Sequence, residues 1–275
     1  MAVNTVENRR NLGSANTDRN PSPNIWYDCP WNELVEGVAS GVYFWEDFES
    51  FPKTPPTTEG NWGRFAVFSS TGGAMTAGTG LGGELVIGSD DDAEGVGLRT
   101  LSTPFKIIRG GGKLWFEIRV KLSTIADTTF EFFAGLIQDI AFTAAIPITN
   151  TAATLADYNM VGFYRTESDG DAINTTYKAD GVTAVTVQTG AVVPVASTYM
   201  KLGLVFDTQY DVAGLHILSF YNNNLRLSTT KTIPSAAGTD FPNDIALGLC
   251  FAVRNAVGSS PGTATIDWMR CAMLI

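Results

Sequence analysis

The sequence has little to work with for several common chemistries. It contains one histidine, His216, and three cysteines, Cys29, Cys250 and Cys271, none in a CxxC pair. A Cys/His zinc site is therefore excluded in practice. The lone histidine lies between Leu215 and Ile217 on an expected strand, without a Ser or Cys in a nucleophilic frame, and reads as an inert strand residue. No run of about 18 apolar residues exists, so no transmembrane helix is expected, and the N-terminus MAVNTVENRR lacks the apolar core of a signal peptide. With so few cysteines, these features point to assembly in a reducing cytoplasm. Cys250 and Cys271 lie in apolar runs and read as buried thiols, although a disulfide between them is not excluded by the sequence. Charged residues are also scarce, 17% against about 25% in ordinary soluble domains. The formal net charge of -10 argues against binding nucleic acid through a broad basic surface.

Period-two alternation is abundant by contrast. In Lys113 to Leu122, Leu114, Phe116, Ile118, Val120 and Leu122 alternate with Lys113, Trp115, Glu117, Arg119 and Lys121. That pattern predicts a strand with one apolar face. Phe130 to Ile137 is aromatic and nearly continuous, as in a strand buried on both faces. The two are expected to form a central hairpin joined by a short polar connection. Further strands are expected at Asn61–Ser69, 84–88, 96–101, 105–108, Tyr158–Arg165, Ile173–Lys178, 182–189, Thr198–Asp207, Leu215–Tyr221, 224–227, 245–253 and Ala264–Ile275, with turn residues between them. Ser70 to Gly83 reads as a flexible Gly-rich loop. It has no GxxxxGK[ST], so it is not a phosphate loop. The fold class is all-β, with two packed antiparallel sheets.

Residues 1–41 read as an extended N-terminal arm and 42–275 as the β-sandwich domain. The arm begins polar and becomes apolar at Ile25, Trp26, Tyr27, Cys29, Trp31, Leu34 and Val35, with a short helix expected near Asn32–Val38. A polar reach ending in an aromatic anchor suggests docking on a partner, with Trp26, Tyr27 and Trp31 as anchors and Arg9, Arg10 and Arg19 meeting acidic surface.

Several segments together carry a resemblance. They are the opening Trp45-Glu46-Asp47-Phe48, the strand KLWFEIRVKLS, the run Phe132 to Leu136, GFYR, Lys178-Ala179-Asp180-Gly181, YMKLGLVFD, FYNNNLRL and the closing IDWMRCAML. This succession, over about residues 42–275, resembles the concanavalin A-like lectin/glucanase jelly rolls, and most closely those serving as virion structural proteins of tailed bacteriophages. The resemblance implies a jelly-roll sandwich of two curved antiparallel sheets. It hosts lectins, glycosidases and packing modules alike, so it sets no activity.

Enzymes of this fold carry a strand motif resembling Glu-x-Asp-x-x-Glu, and retaining hydrolysis needs two carboxylates about 5–5.5 Å apart. The nearest string here, Glu46-Asp47-Phe48-Glu49, has the wrong strand phase, and Glu117 and Glu131 are isolated acids. No catalytic residues, metal or cofactor are therefore expected. The cluster Asp90, Asp91, Asp92 and Glu94 lacks the spacing of a calcium loop. Trp62, Trp115, Tyr164 and Tyr221 are candidate carbohydrate platforms. The resulting expectation is a non-enzymatic virion protein, a capsid decoration or cement protein. It would bind the major capsid protein through its arm, as a homodimer or homotrimer, on the capsid exterior, with no direct nucleic-acid or membrane contact. Deleting residues 1–40 should then leave a folded domain. The alternatives are a carbohydrate-binding module that adheres to host glycan, or a tail or baseplate structural protein.

Overall fold

The computed structural model describes residues 19–49, 56, 60–70, 73–78, 83–89, 94–107, 112–126, 130–139, 147–149, 154–207, 215–234, 240–256 and 262–275. Among them are two short α-helices, α1 (Pro23–Trp26) and α2 (Trp31–Val35), one 3-10 turn (Glu167–Asp169) and eighteen strands. In chain order these are β1 (Gly41–Glu46), β2 (Gly60–Trp62), β3 (Phe65–Ser69), β4 (Gly73–Ala77), β5 (Leu85–Ser89), β6 (Gly95–Thr100), β7 (Phe105–Lys106), β8 (Leu114–Leu122) and β9 (Phe130–Gln138). They continue with β10 (Met160–Arg165), β11 (Ile173–Lys178), β12 (Val185–Val192), β13 (Met200–Asp207), β14 (Leu215–Asn222), β15 (Leu225–Arg226), β16 (Lys231–Pro234), β17 (Ala246–Asn255) and β18 (Thr263–Leu274).

The strands form two sheets. One runs β15-β14-β13-β8-β18-β5-β4, with β1 on β18 and β16 on β14. The other runs β12-β11-β10-β9-β17-β6-β3-β2, with β7 on β17. Their inner faces pack on one another as in an aligned sandwich. Alternation decides which residues meet there. Leu114, Phe116, Ile118, Val120 and Leu122 of β8 enter the same core as Phe130, Phe132, Ala134 and Leu136 of β9. Leu202, Leu204 and Phe206 of β13 join them.

The expected central hairpin does not form. β8 pairs with β13 and β18, whereas β9 pairs with β10 and β17. The polar connection after Leu122 carries the chain from one sheet to the other, so the two runs face each other across the core. Alternation specifies a strand's buried face but not its hydrogen-bonded neighbours. The Gly-rich stretch is also not wholly a loop, because Gly73–Ala77 pairs with β5 as an edge strand. The strands expected at Leu215–Tyr221 and 224–227 form the hairpin β14–β15, which turns on Asn223 and Asn224, at φ 46° and 70°. Asn tolerates the left-handed region that a two-residue hairpin turn needs.

β10 lies flush against β9 at Gly162 and Gly135, which pair in register. A Cβ on Gly162 would come within 2.4 Å of the Ala134 carbonyl oxygen, so only glycine fits. The three cysteines are free thiols. Cys271 sits in the sandwich core and Cys250 on the outer face of the second sheet, so they occupy different layers. His216 is buried beside Phe206, with ring centroids 5.8 Å apart.

Candidate functional site

The outer face of the first sheet presents Trp115, Glu117 and Arg119 from β8, and Asp267, Trp268 and Arg270 from β18. Residues 19–40 lie across it. Ile25, Trp26, Cys29 and Leu34 form a second apolar cluster with Trp115, Val205 and Ala272. Pro23 opens α1, where a missing N–H costs nothing, and both helices are too short to stand without this packing.

Polar contacts fix the segment as firmly as apolar ones. The Ser22 backbone N–H and the Trp26 Nε1–H both donate to Glu117 Oε2, at 3.0 and 2.7 Å. Lys201 Nζ donates to the Asn20 carbonyl at 3.0 Å, and Trp268 Nε1–H to the Arg19 carbonyl at 2.6 Å. Lys113 bridges Asp28 and Asp207, and Trp115 Nε1–H donates to Asp28 at 3.0 Å. Asp267 takes Arg119 on one oxygen and Arg19 on the other.

From Arg19 onward, the segment expected to reach a neighbouring molecule packs on the first sheet of its own chain. The boundary expected at 41/42 is crossed by a shared apolar cluster and buried hydrogen bonds. Trp26 is buried and Trp31 half-buried. Of the three expected anchors, Tyr27 alone is largely exposed, at 69%. Arg9 and Arg10 lie outside the described residues, as do Asp90, Asp91 and Asp92.

The expected carbohydrate platforms are not brought together. Trp62 is inside the sandwich core and Trp115 lies under the N-terminal segment, so neither ring is open to a ligand. Tyr221 is half-buried against the N-terminal cluster. Tyr164 stands on the opposite sheet, its hydroxyl 3.1 Å from Thr186 Oγ1.

Where residues 19–31 meet β1 and β18, a different group converges. A cavity of about 280 Å³ is lined by Arg19, Asn20, Trp26, Trp31, Trp45, Asp47, Trp268 and Arg270, among others. That lies just below the usual range for small-molecule sites, roughly 300–1,000 Å³. Trp45 and Arg270 are direct cross-strand partners, and Arg270 also faces Glu117 across β8. The Arg270 guanidinium carbon sits 4.3 Å from the Trp45 ring centre, 4.7 Å from Trp31, 5.4 Å from Trp26 and 5.7 Å from Trp268. This is a cation surrounded by indole faces. Trp31 meets Trp26 edge-on at 5.5 Å and Trp45 at 6.3 Å. Trp45 is 45% exposed and forms the open wall.

Trp45, Asp47, Trp268 and Arg270 were not among the expected site residues. One local signal was present: in Tyr43-x-Trp45 and Trp268-x-Arg270, large aromatics occupy the phase opposite to the core residues of their strands. In the acidic string Glu46 ends β1, and Asp47 to Glu49 turn away from the sheet. Glu46 Oε1 accepts the Phe48 N–H at 3.1 Å and the Phe48 ring enters the core.

Burial pulls the Arg270 guanidinium down to about 10, still cationic at neutral pH, against support from the Glu117 charge. Burial pushes the Glu117 carboxyl up, and the Ser22 and Trp26 hydrogen bonds and the Lys201 charge only partly oppose it. A carboxyl raised in the folded state is most compatible with the fold when protonated. Its unfavourable contribution therefore grows as pH rises from its unfolded value, about 4.3, through the folded one. We expect Glu117→Gln, whose carbonyl can accept the same two hydrogen bonds, to gain Tm relative to wild type with increasing pH. Melting curves from pH 4 to 8 check this, and a difference that shrinks with pH would refute it.

Glu131, the other isolated acid, lies on the outer face of the second sheet. It takes Arg254 at 3.1 Å and the Glu167 N–H at 3.0 Å. Glu117 and Glu131 thus stand on opposite outer faces with the core between them, and cannot act on one bond. Among the described residues, no group of three or more His, Cys, Asp or Glu side chains could hold a metal ion.

No family model and no curated protein matches the sequence. Solved structures do match. A protein of unknown function from Shewanella oneidensis MR-1 aligns with TM-score 0.52 at 12% identity, over 90% of this chain and 94% of that one. Peanut lectin aligns with TM-score 0.51 at 14% identity, over 86% and 99%. The fold is a concanavalin A-like jelly roll. A glycoside hydrolase family protein from Mycobacterium thermorestibile shares it, with TM-score 0.50 and 15% identity over 83% of this chain and 99% of that one. Lectins and glycoside hydrolases thus both stand among the neighbours of this jelly roll. At such identities the likeness extends to the fold and no further. In this jelly roll the tryptophan-walled cavity belongs to the outer face of the sheet that holds both the first and the last strand.

Proposed function

We propose that this protein is a non-catalytic carbohydrate-binding module whose site is the tryptophan-walled cavity. The cavity itself carries the reading. Sugar rings present C–H faces that pack on indoles, and their hydroxyls need a few placed donors and acceptors. Trp45, 45% exposed, supplies the most open indole of the lining, and Arg270, Asn20 and Asp47 line the same space. The presence of lectins among proteins of this fold is consistent with it.

Catalysis is left out of the proposal on chemical grounds. Asp47 is the one carboxylate lining the cavity among the described residues, and hydrolysis of a glycoside with retention needs a pair. Glu117 beneath it is fully buried and holds Ser22 and Trp26. The capsid-decoration reading is not taken up, because residues 19–40, the described part of its expected arm, are engaged by their own sheet.

Titration against a panel of plant, bacterial and animal polysaccharides tests the proposal. We expect saturable binding to at least one of them. Trp45→Ala should weaken it at least about tenfold, ~1.4 kcal/mol, without a large change in Tm, because the ring is half exposed. No saturable binding across the panel, or binding unaffected by the Trp45 change, would sink it.

A further inference from the structure

Resting on the carbohydrate reading of this cavity, we propose that it selects an acidic sugar, a hexuronate whose carboxylate pairs with Arg270 while a ring face lies on Trp45. Arg270 is 7% exposed, and that exposure opens on the cavity it lines. Its Nε is buried without a hydrogen-bond partner. Among the described residues, no carboxylate forms an ion pair with the guanidinium. Three carboxylates lie nearby. Glu117 gives its Oε2 to Ser22 and Trp26 while its Oε1 is buried without a hydrogen-bond partner, Asp267 holds Arg119 and Arg19, and Asp47 lines the cavity and takes the Glu49 N–H. Indole faces stabilise a cation, but they give its N–H groups no acceptor in line.

A buried guanidinium is costly to leave without hydrogen-bonding partners, and its planar fork matches a carboxylate in bidentate geometry. Charge decides between anions. Arg19 is already paired with Asp267, which leaves Arg270 as the lining cation that can take a ligand anion, with Asp47 as the lining anion. That single cation complements a monoanion. A phosphate dianion would face Asp47 with too few cations. The apolar walls add the second requirement, a ligand that also carries a flat C–H face. A hexuronate meets both conditions.

Methyl β-D-glucuronide and methyl β-D-glucoside differ only at C6, so they isolate the carboxylate. The full chain is titrated with each, following the indole N–H signals of its six tryptophans. The glucuronide is expected to bind at least about tenfold tighter at low salt, with the gap narrowing as ionic strength rises. Arg270→Gln should bring the two ligands to similar affinity while Trp45→Ala weakens both. The wild-type comparison and its salt dependence need no variant, so a poorly folding Arg270→Gln does not block the test. Equal binding of the two ligands by wild type overturns the acidic preference and leaves the carbohydrate reading standing. A preference that survives Arg270→Gln overturns the role of Arg270. Failure of both glycosides and of the polysaccharide panel overturns both readings.

Discussion

Removal of residues 1–40 is expected to abolish cooperative folding or leave an aggregating protein, rather than release an intact jelly roll. Residues 19–40 bury Ile25, Trp26, Cys29 and Leu34 on the first sheet. Burial of a large apolar side chain contributes roughly 1.5–3 kcal/mol. A few such residues together reach the order of a whole domain's net stability, about 5–15 kcal/mol. The deletion would also bare Trp115 and strip Glu117, Lys201 and Trp268 of the partners that Ser22, Trp26, Asn20 and Arg19 supply. A buried group left without its partner costs about 1–3 kcal/mol more, and charged groups more still. Truncation after residue 18 retains every one of these contacts and serves as the control. Thermal and urea melts of the two truncations decide the matter. If the chain lacking residues 1–40 melts cooperatively within a few degrees of wild type, the N-terminal segment is a detachable arm after all. The aromatic weight of this segment is real, but a sequence shows only that Trp26 and Trp31 need burial. It does not show whether the surface that buries them belongs to this chain or another.

The second large effect is expected at Glu131. Its carboxylate and Arg254 are both almost wholly buried, and the guanidinium reaches on to the Thr149 carbonyl at 2.5 Å. Removing one member of a buried pair strands the other, which typically costs about 3–5 kcal/mol. Glu131→Ala should therefore lower the urea midpoint substantially with little change in the m-value. Replacing both partners together, Glu131→Leu with Arg254→Met, should recover much of the loss, because matched apolar residues avoid the stranded charge. This double change distinguishes scaffold from chemistry. A Glu131→Ala protein as stable as wild type would mean that the pair does not hold the fold, and would reopen a functional role for that carboxylate.

Alternation along single segments was enough to read the class of fold, the buried face of β8 and β13, and most strand positions, but not β1, β4 or β16, nor the division of Asn61–Ser69 into β2 and β3. Composition is equally local: one histidine, no CxxC pair and isolated acids are facts of the sequence in any fold. A side chain's face follows from its phase in the strand, and its chemistry follows from its identity.

What the tertiary structure alone decided was partnership. Period two says nothing about which strand lies alongside, so β8 and β9 could be neighbours in sequence yet belong to different sheets. The same gap hid the cavity. Trp45 and Arg270 meet because the first and last strands pair, and Trp26 and Trp31 close over them because residues 19–40 fold back onto that sheet. Contacts between such distant segments depend on the whole sandwich closing at once. No window of sequence contains them.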